Sequence, residues 1–309
     1  MMSKVLLWIP ILAMFVDSYG FSQTVNYPQS VENKTILTGT TGSWDEESVH
    51  TFSVVEVNKN GYKYFAYYGL DHYNDKEALV KKCGLAMSND LENWVKYQQN
   101  PVINFNCRWP TVVYDGKWFY MFYSEYNKSG DSRIVMRNSQ NGMQFGEKTI
   151  VVPYSKGEQN QNPFIYFNQA DSNYYMFYYN GTERAEINPR WNILIKKSFS
   201  LIGLATAKPN TLLSSDKTMA APSVAFYNGK YFLLVEEFEN FNTMEKWVTN
   251  AFWSDSIDRG YQRVNNNSVL AKNDACAFQY LINGKLYVFY SHSTNAENNN
   301  WNIKMIKLK

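Results

Sequence analysis

The sequence predicts an all-β fold, a five-bladed β-propeller of four-stranded antiparallel blades, on three observations. A two-strand unit recurs five times along the 309 residues. Its turns carry hairpin residues at a near-constant spacing. A strand missing from the last unit has a match at the other end of the chain.

The units are residues 52–69 (FSVVEVNKNGYKYFAYYG), 110–125 (PTVVYDGKWFYMFYSE), 163–180 (PFIYFNQADSNYYMFYYN), 222–237 (PSVAFYNGKYFLLVEE) and 276–292 (CAFQYLINGKLYVFYSH). Each is a β-branched or aromatic run, a tight turn and a second aromatic run. The turns at Asn60-Gly61, Asp115-Gly116, Asn228-Gly229 and Asn283-Gly284 suit two-residue hairpins, which need φ > 0 at both central residues. Their glycines lie 55, 113 and 55 residues apart, so the period is near 56, and the third unit, turning at Asp171-Ser172-Asn173, fills the double gap.

Third strands are expected over residues 84–95, 133–145, 192–201 and 250–261, and short fourth strands over 101–103, 150–152, 211–213 and 268–270. The fifth unit stops after its third strand, 301–308. Thr35, Ile36 and Leu37 supply its fourth, so an N-terminal strand is expected to close the last blade and remove the open edges. A β-sandwich does not explain the repeat, and no helix-period segment or linker marks a second domain.

Lys4, the apolar run 5–16 and the small residues Ser18 and Gly20 read as a signal peptide over residues 1–20, ahead of a single domain over 21–309. The run is too short for a comfortable membrane span, so a secreted, periplasmic or cell-surface protein without a span after signal removal is expected, with a retained anchor as the alternative. A net charge of +2 with no concentrated basic patch excludes nucleic acid as the expected partner. Cys83, Cys107 and Cys276 are odd in number, which leaves one disulfide with a free thiol, or core roles, and match no zinc spacing. Aromatic residues make up 17% of the chain, more than an ordinary domain carries. Most are sheet packing, and flat rings also cover the apolar face of a sugar. No cofactor and no metal site is expected. The protein is expected to be monomeric.

In a propeller the first strands line the central channel, and the residues opening them surround one mouth. These are the segments 44–51 (WDEESVHT), 106–109 (NCRW), 160–162 (NQN), 219–221 (MAA) and 273–275 (NDA). Second-strand ends add Glu125, Glu236, Glu237 and His292. Blade one, with Trp44-Asp45, an aromatic second strand, Gly-Leu-Ala-x-Ser-x-Asp-Leu-x-x-Trp over 84–94 and Asn100-Pro101-Val102, resembles the five-bladed glycosidases of families 43, 32, 68 and 130. The resemblance spans nearly the whole mature chain. It implies a secreted glycoside hydrolase acting on a poly- or oligosaccharide with a pair of carboxyl groups. Asp45 matches the Trp-Asp nucleophile motif. The chain departs from the families elsewhere: Asn162 stands for Asp beside Pro163, Ala221 for Glu beside Pro222, and Trp109 for Asp beside Pro110. Glu236 and Glu237 are then the replacement acids, of which strand alternation lets one at most face the channel. His50, Arg108, Trp109, Gln161, Asn162, Glu125, Asp274 and His292 are the expected substrate-binding residues. The alternative is a non-catalytic carbohydrate-binding propeller that has lost its acids.

Overall fold

The computed structural model describes residues 25–70, 81–181, 191–214, 218–238, 247–264, 268–272, 274–295 and 300–309. The expected signal peptide, residues 1–20, lies outside the described residues. So does Asn273.

Among the described residues, twenty strands form five four-stranded antiparallel sheets. Blade one holds β2 (His50–Lys59), β3 (Tyr62–Gly69), β4 (Cys83–Ser88) and β5 (Val95–Lys96). Blade two holds β6 (Arg108–Tyr114), β7 (Phe119–Tyr126), β8 (Ser132–Ser139) and β9 (Lys148–Val152). Blade three holds β10 (Gln159–Asn168), β11 (Asn173–Gly181), β12 (Asn192–Ser198) and β13 (Asn210–Leu213). Blade four holds β14 (Thr218–Tyr227), β15 (Lys230–Phe238), β16 (Trp247–Ser254) and β17 (Gln262–Arg263). Blade five holds β18 (Ala275–Ile282), β19 (Lys285–Asn295) and β20 (Asn300–Leu308), and its fourth strand is β1 (Ser30–Leu37), paired antiparallel to β20 from Ser30↔Leu308 to Leu37↔Ile303.

Three of the hairpins turn as their residues require: Asn60-Gly61, Asn228-Gly229 and Asn283-Gly284 have φ > 0 at both positions. At Asp115-Gly116 the glycine alone does, because the Asp115 carboxylate accepts the Lys117 and Trp118 N–H groups at 2.8 and 2.7 Å and builds a wider turn. In blade four the outer strand is Gln262–Arg263 rather than residues 268–270, and the outer strand of blade one also differs from expectation. Val95–Lys96 forms it, and residues 101–103 meet β4 only at the Cys83↔Ile103 bridge.

The aromatic runs reflect burial on both faces. In β3, Tyr64, Ala66 and Tyr68 pack toward blade five, while Phe65 and Tyr67 pack toward blade two. A strand sandwiched between two neighbouring blades has no solvent face, so it reads as continuous rather than alternating hydrophobicity. Cys83 and Cys107 form a disulfide joining β4 to the segment before β6, and Cys276 is buried and outside any disulfide. Among the described residues no helix is long and apolar enough to cross a membrane.

Candidate functional site at the channel mouth

Every first strand is broken at the same place. Thr51, Trp109, Asn162, Ala221 and Cys276 all have φ between 46° and 57°. Each sits at a register shift against the second strand of its blade. A bulge with a left-handed residue bends the strand and re-aims one side chain. Five such bulges make a ring. Asn162 Nδ2 reaches Cys276 Sγ across the channel at 3.6 Å. Trp109 of blade two packs with Ala221 of blade four and with Ala275, Cys276 and Trp301 of blade five, and Trp247 joins the same cluster. No ring position carries a carboxylate.

The ring is latched from blade to blade. Ser291 Oγ accepts the Thr51 N–H at 3.0 Å, and Ser124 Oγ accepts the Asn162 N–H at 3.1 Å. At the blade four to blade five junction the latch is Glu236, whose Oε1 accepts the Cys276 N–H. Glu236 is 1% exposed, and it forms no ion pair with a described cation. Burial pushes its carboxyl up to about 7, against the opposing pull of the Cys276 N–H. A carboxyl with this poise holds its proton near neutral pH and can give it up.

Three other expected acids lie in ion pairs. Asp45 is buried, but it accepts from Lys96 Nζ at 2.6 Å, Tyr68 OH at 2.9 Å and the Thr40 N–H at 3.3 Å. Lys96 is on β5, the outermost strand. The Tyr68 ring lies over Gly84 of β4, where a Cβ would come within 2.6 Å of it, and Trp44 stacks on Tyr68 at 5.7 Å. Asp45 therefore sits over the outer half of blade one, which corrects the expectation that it opens onto the channel. Glu237 binds Arg263 Nη2 of β17 and Asn250 Nδ2, on the face turned toward blade three. Glu125, its equivalent in blade two, takes Arg133 at 2.7 Å and Lys148 at 2.9 Å. These three carboxylates hold outer strands in place. Asp45→Ala and Glu125→Ala are accordingly expected to cost about 2–4 kcal/mol each, the penalty of leaving partly buried cations unpaired. Denaturant melts would measure that loss, with sugar binding unchanged. A normal melt with lost turnover in either variant would return that residue to the chemistry.

The expected binding residues divide. His50 is buried, with Nδ1 3.0 Å from Thr51 Oγ1 and its ring edge-on to Trp301 at 5.0 Å. The Arg108 guanidinium lies 5.1 Å from the Trp109 ring and 4.8 Å from that of Tyr126, a cation–π stack that fixes both aromatics. Gln161 is buried and bonded to Tyr179 and Gln159, so it shapes the wall rather than reaching into the mouth. Asp274 and His292 pair at 2.8 Å, with a third of the His292 side chain exposed. Burial raises the Asp274 carboxyl, against His292. Trp247, Trp301 and Cys276 were not legible as site residues. Trp247 and Trp301 sit on third strands, and only ring closure brings them to the mouth. The channel also holds a cavity of about 510 Å³ at its other end, lined by the hairpin halves of the first strands, with Glu56 as the only carboxylate in its lining. Among the described residues no three His, Cys, Asp or Glu gather as a metal site.

This architecture is shared with carbohydrate-active propellers. No protein-family model matches the sequence, and no curated protein does. Solved structures match in fold. A thermostable family-43 glycoside hydrolase superimposes with a TM-score of 0.67 at 15% identity, over 88% of this chain and 93% of that one. The N-acetylgalactosamine deacetylase of F. plautii, solved with blood group B trisaccharide, gives 0.71 at 13% identity, over 89% and 95%. The endo-arabinase of Bacteroides thetaiotaomicron VPI-5482 gives 0.62 at 14%, over 89% and 98%. The chain has the five-bladed propeller fold of the family-43 glycosidases. At this identity the likeness is one of fold, and a deacetylase among the neighbours illustrates that fold alone does not fix the reaction.

Proposed function

We propose that this protein binds a poly- or oligosaccharide at the channel mouth and hydrolyses a glycosidic bond with Glu236 as the proton donor. The carrying observation is Glu236 itself: a buried carboxyl beside the bulge ring, held by one backbone N–H, and poised near 7. Trp109 and Trp247, half-buried against the buried Trp301, form the stacking surface, and Asn162 offers a polar group to sugar hydroxyls. The Cys83–Cys107 disulfide supports an exported protein, in keeping with the signal-like residues 1–20.

A panel of chromogenic glycosides and plant and microbial polysaccharides, incubated with purified protein, tests the reading. Release of reducing ends that disappears in Glu236→Gln is the expected result. Binding without turnover on the whole panel would assign the protein to the carbohydrate-binding class, which the uncharged bulge ring would then explain. Trp109→Ala is expected to weaken sugar affinity by roughly 30-fold, the scale of a buried tryptophan anchor. Isothermal titration with a bound oligosaccharide measures it, and unchanged affinity would remove Trp109 from the site.

A further inference from the structure

Blades four and five meet across a polar patch in which the hydrolase reading uses Glu236 alone. Strand alternation decides which side chains share it. In β15, Phe232 and Leu234 pack against blade five, so Glu236 points the same way. In β16, Ala251 does the same, so Thr249, opposite Glu236 in register, also faces blade five. In β19, Val288 and Tyr290 pack against blade four, so His292 faces Glu236's side of the junction. Asp274 lies beside it at 2.8 Å. Thr249 is 1% exposed, and its buried Oγ1 has no hydrogen-bond partner among the described residues. An unsatisfied buried hydroxyl of this kind marks a place where a ligand or water is expected.

We propose that His292, oriented by Asp274, is the base that activates the hydrolytic water opposite Glu236, so that the acid and the base face each other across the blade four to blade five junction. The inference rests on the hydrolase reading. His292 uses Nδ1 on Asp274, which directs Nε2 away from that carboxylate, and about a third of the His292 side chain is exposed. Glu236 is anchored on Cys276 and His292 on Asp274. Those anchors are two residues apart on one chain, which brings the acid and the base to one stretch of the junction. Inverting glycosidases place a water between their two catalytic groups. In the step, the water oxygen bonds to the anomeric carbon while its proton passes to His292 Nε2. The bond from the anomeric carbon to the leaving oxygen breaks, and that oxygen takes the Glu236 proton. Solvent then returns one proton to Glu236 and removes one from His292. Asp274 is a positioning residue. The other ionisable groups around the pair are Lys304 of β20 and Tyr290 of β19, whose hydroxyl donates to Asn33.

The test is the kinetics of the whole mature chain on whichever panel glycoside it cleaves. His292→Gln is expected to lower kcat by at least 100-fold with KM within about threefold, and to abolish the acid limb of the pH–kcat profile. Asp274→Asn is expected to lower kcat by about 10-fold with KM within about threefold. The unmodified protein needs no variant to fold: NMR of the first-formed sugar is expected to show an inverted anomer. A retained anomer, or a His292→Gln variant with normal kcat and an intact acid limb while Glu236→Gln is inactive, overturns the inference and leaves the hydrolase reading standing. Cleavage of no glycoside at all overturns both.

Discussion

Glu236→Gln is expected to abolish turnover and, at the same time, to make the protein more stable above neutral pH. The two effects share one cause. Burial raises the Glu236 carboxyl from an ordinary value of 4.5 to about 7, so the folded state holds this proton more tightly than the unfolded chain does. The stability linked to that proton is fully present below the unfolded value. It is lost as pH rises through 7, where folding must bury a charge. Over that window the loss is about 3 kcal/mol, at 1.36 kcal/mol per unit. Glutamine keeps the carbonyl oxygen that accepts the Cys276 N–H and carries no charge to bury. Its thermal midpoint should therefore match the parent at pH 4 and exceed it at pH 8. Turnover should fall by roughly 10²–10⁴, the usual worth of a general acid, and in the parent it should decline above pH 7 as the proton leaves. Melts at the two pH values and a pH–rate profile measure both arms. A variant that is inactive but no more stable at pH 8 would mean that the carboxylate is ionised and stabilised in the native state, which would exclude it as the acid.

The fold was legible because its signals are local. Asn60-Gly61, Asn228-Gly229 and Asn283-Gly284 each specify a turn through their own φ preferences, and repetition multiplies the evidence. The glycosidase-like run over residues 84–94 is also a fold signal. Ser88 Oγ accepts the Asp90 and Leu91 N–H groups, and Asp90 accepts those of Glu92 and Asn93, which shapes the turn from β4 to β5. Ser139, Ser198 and Ser254 repeat the arrangement at the ends of their third strands. A motif that builds a turn reports the blade and says nothing of chemistry.

The site was less legible because charge pairing is not local. Asp45 carries the right neighbours in sequence, yet its fate is decided by Lys96, 51 residues away on an outer strand. Alternation states that Glu236 and Glu237 face opposite ways. It does not say which of them meets Arg263 and which meets a bare backbone N–H. The five bulges were likewise invisible. Thr51, Trp109, Asn162, Ala221 and Cys276 share no chemistry, and four of them are residue types that seldom adopt positive φ, because the constraint comes from the ring and not from the side chain.

A chain that begins at Thr38 is expected to lose cooperative folding or to self-associate, compared with one that begins at Val25. The missing strand, β1, is itself mostly exposed, and Leu37 is its one fully buried side chain. Its direct hydrophobic contribution is about 2–3 kcal/mol. The larger consequence falls on β20. That strand would become an open edge, with the backbone groups now paired from Ser30↔Leu308 to Leu37↔Ile303 left unpaired. Ile303 and Met305 pack in the same cluster as Leu37 and would lose cover on that side. The Lys34–Glu92 pair, which ties blade five to the turn of blade one, and the Tyr290–Asn33 hydrogen bond would go as well. A four-stranded blade reduced to three presents a template for a second chain. Residues 25–29 add to the effect, since Val25 and Tyr27 pack between blades four and five and Tyr27 donates to Gln279 at 2.9 Å. Thermal unfolding and light scattering of the two chains at equal concentration measure the outcome. Identical midpoints and a monodisperse short chain would show that blade five is complete with three strands and that the N-terminal strand merely lies against it.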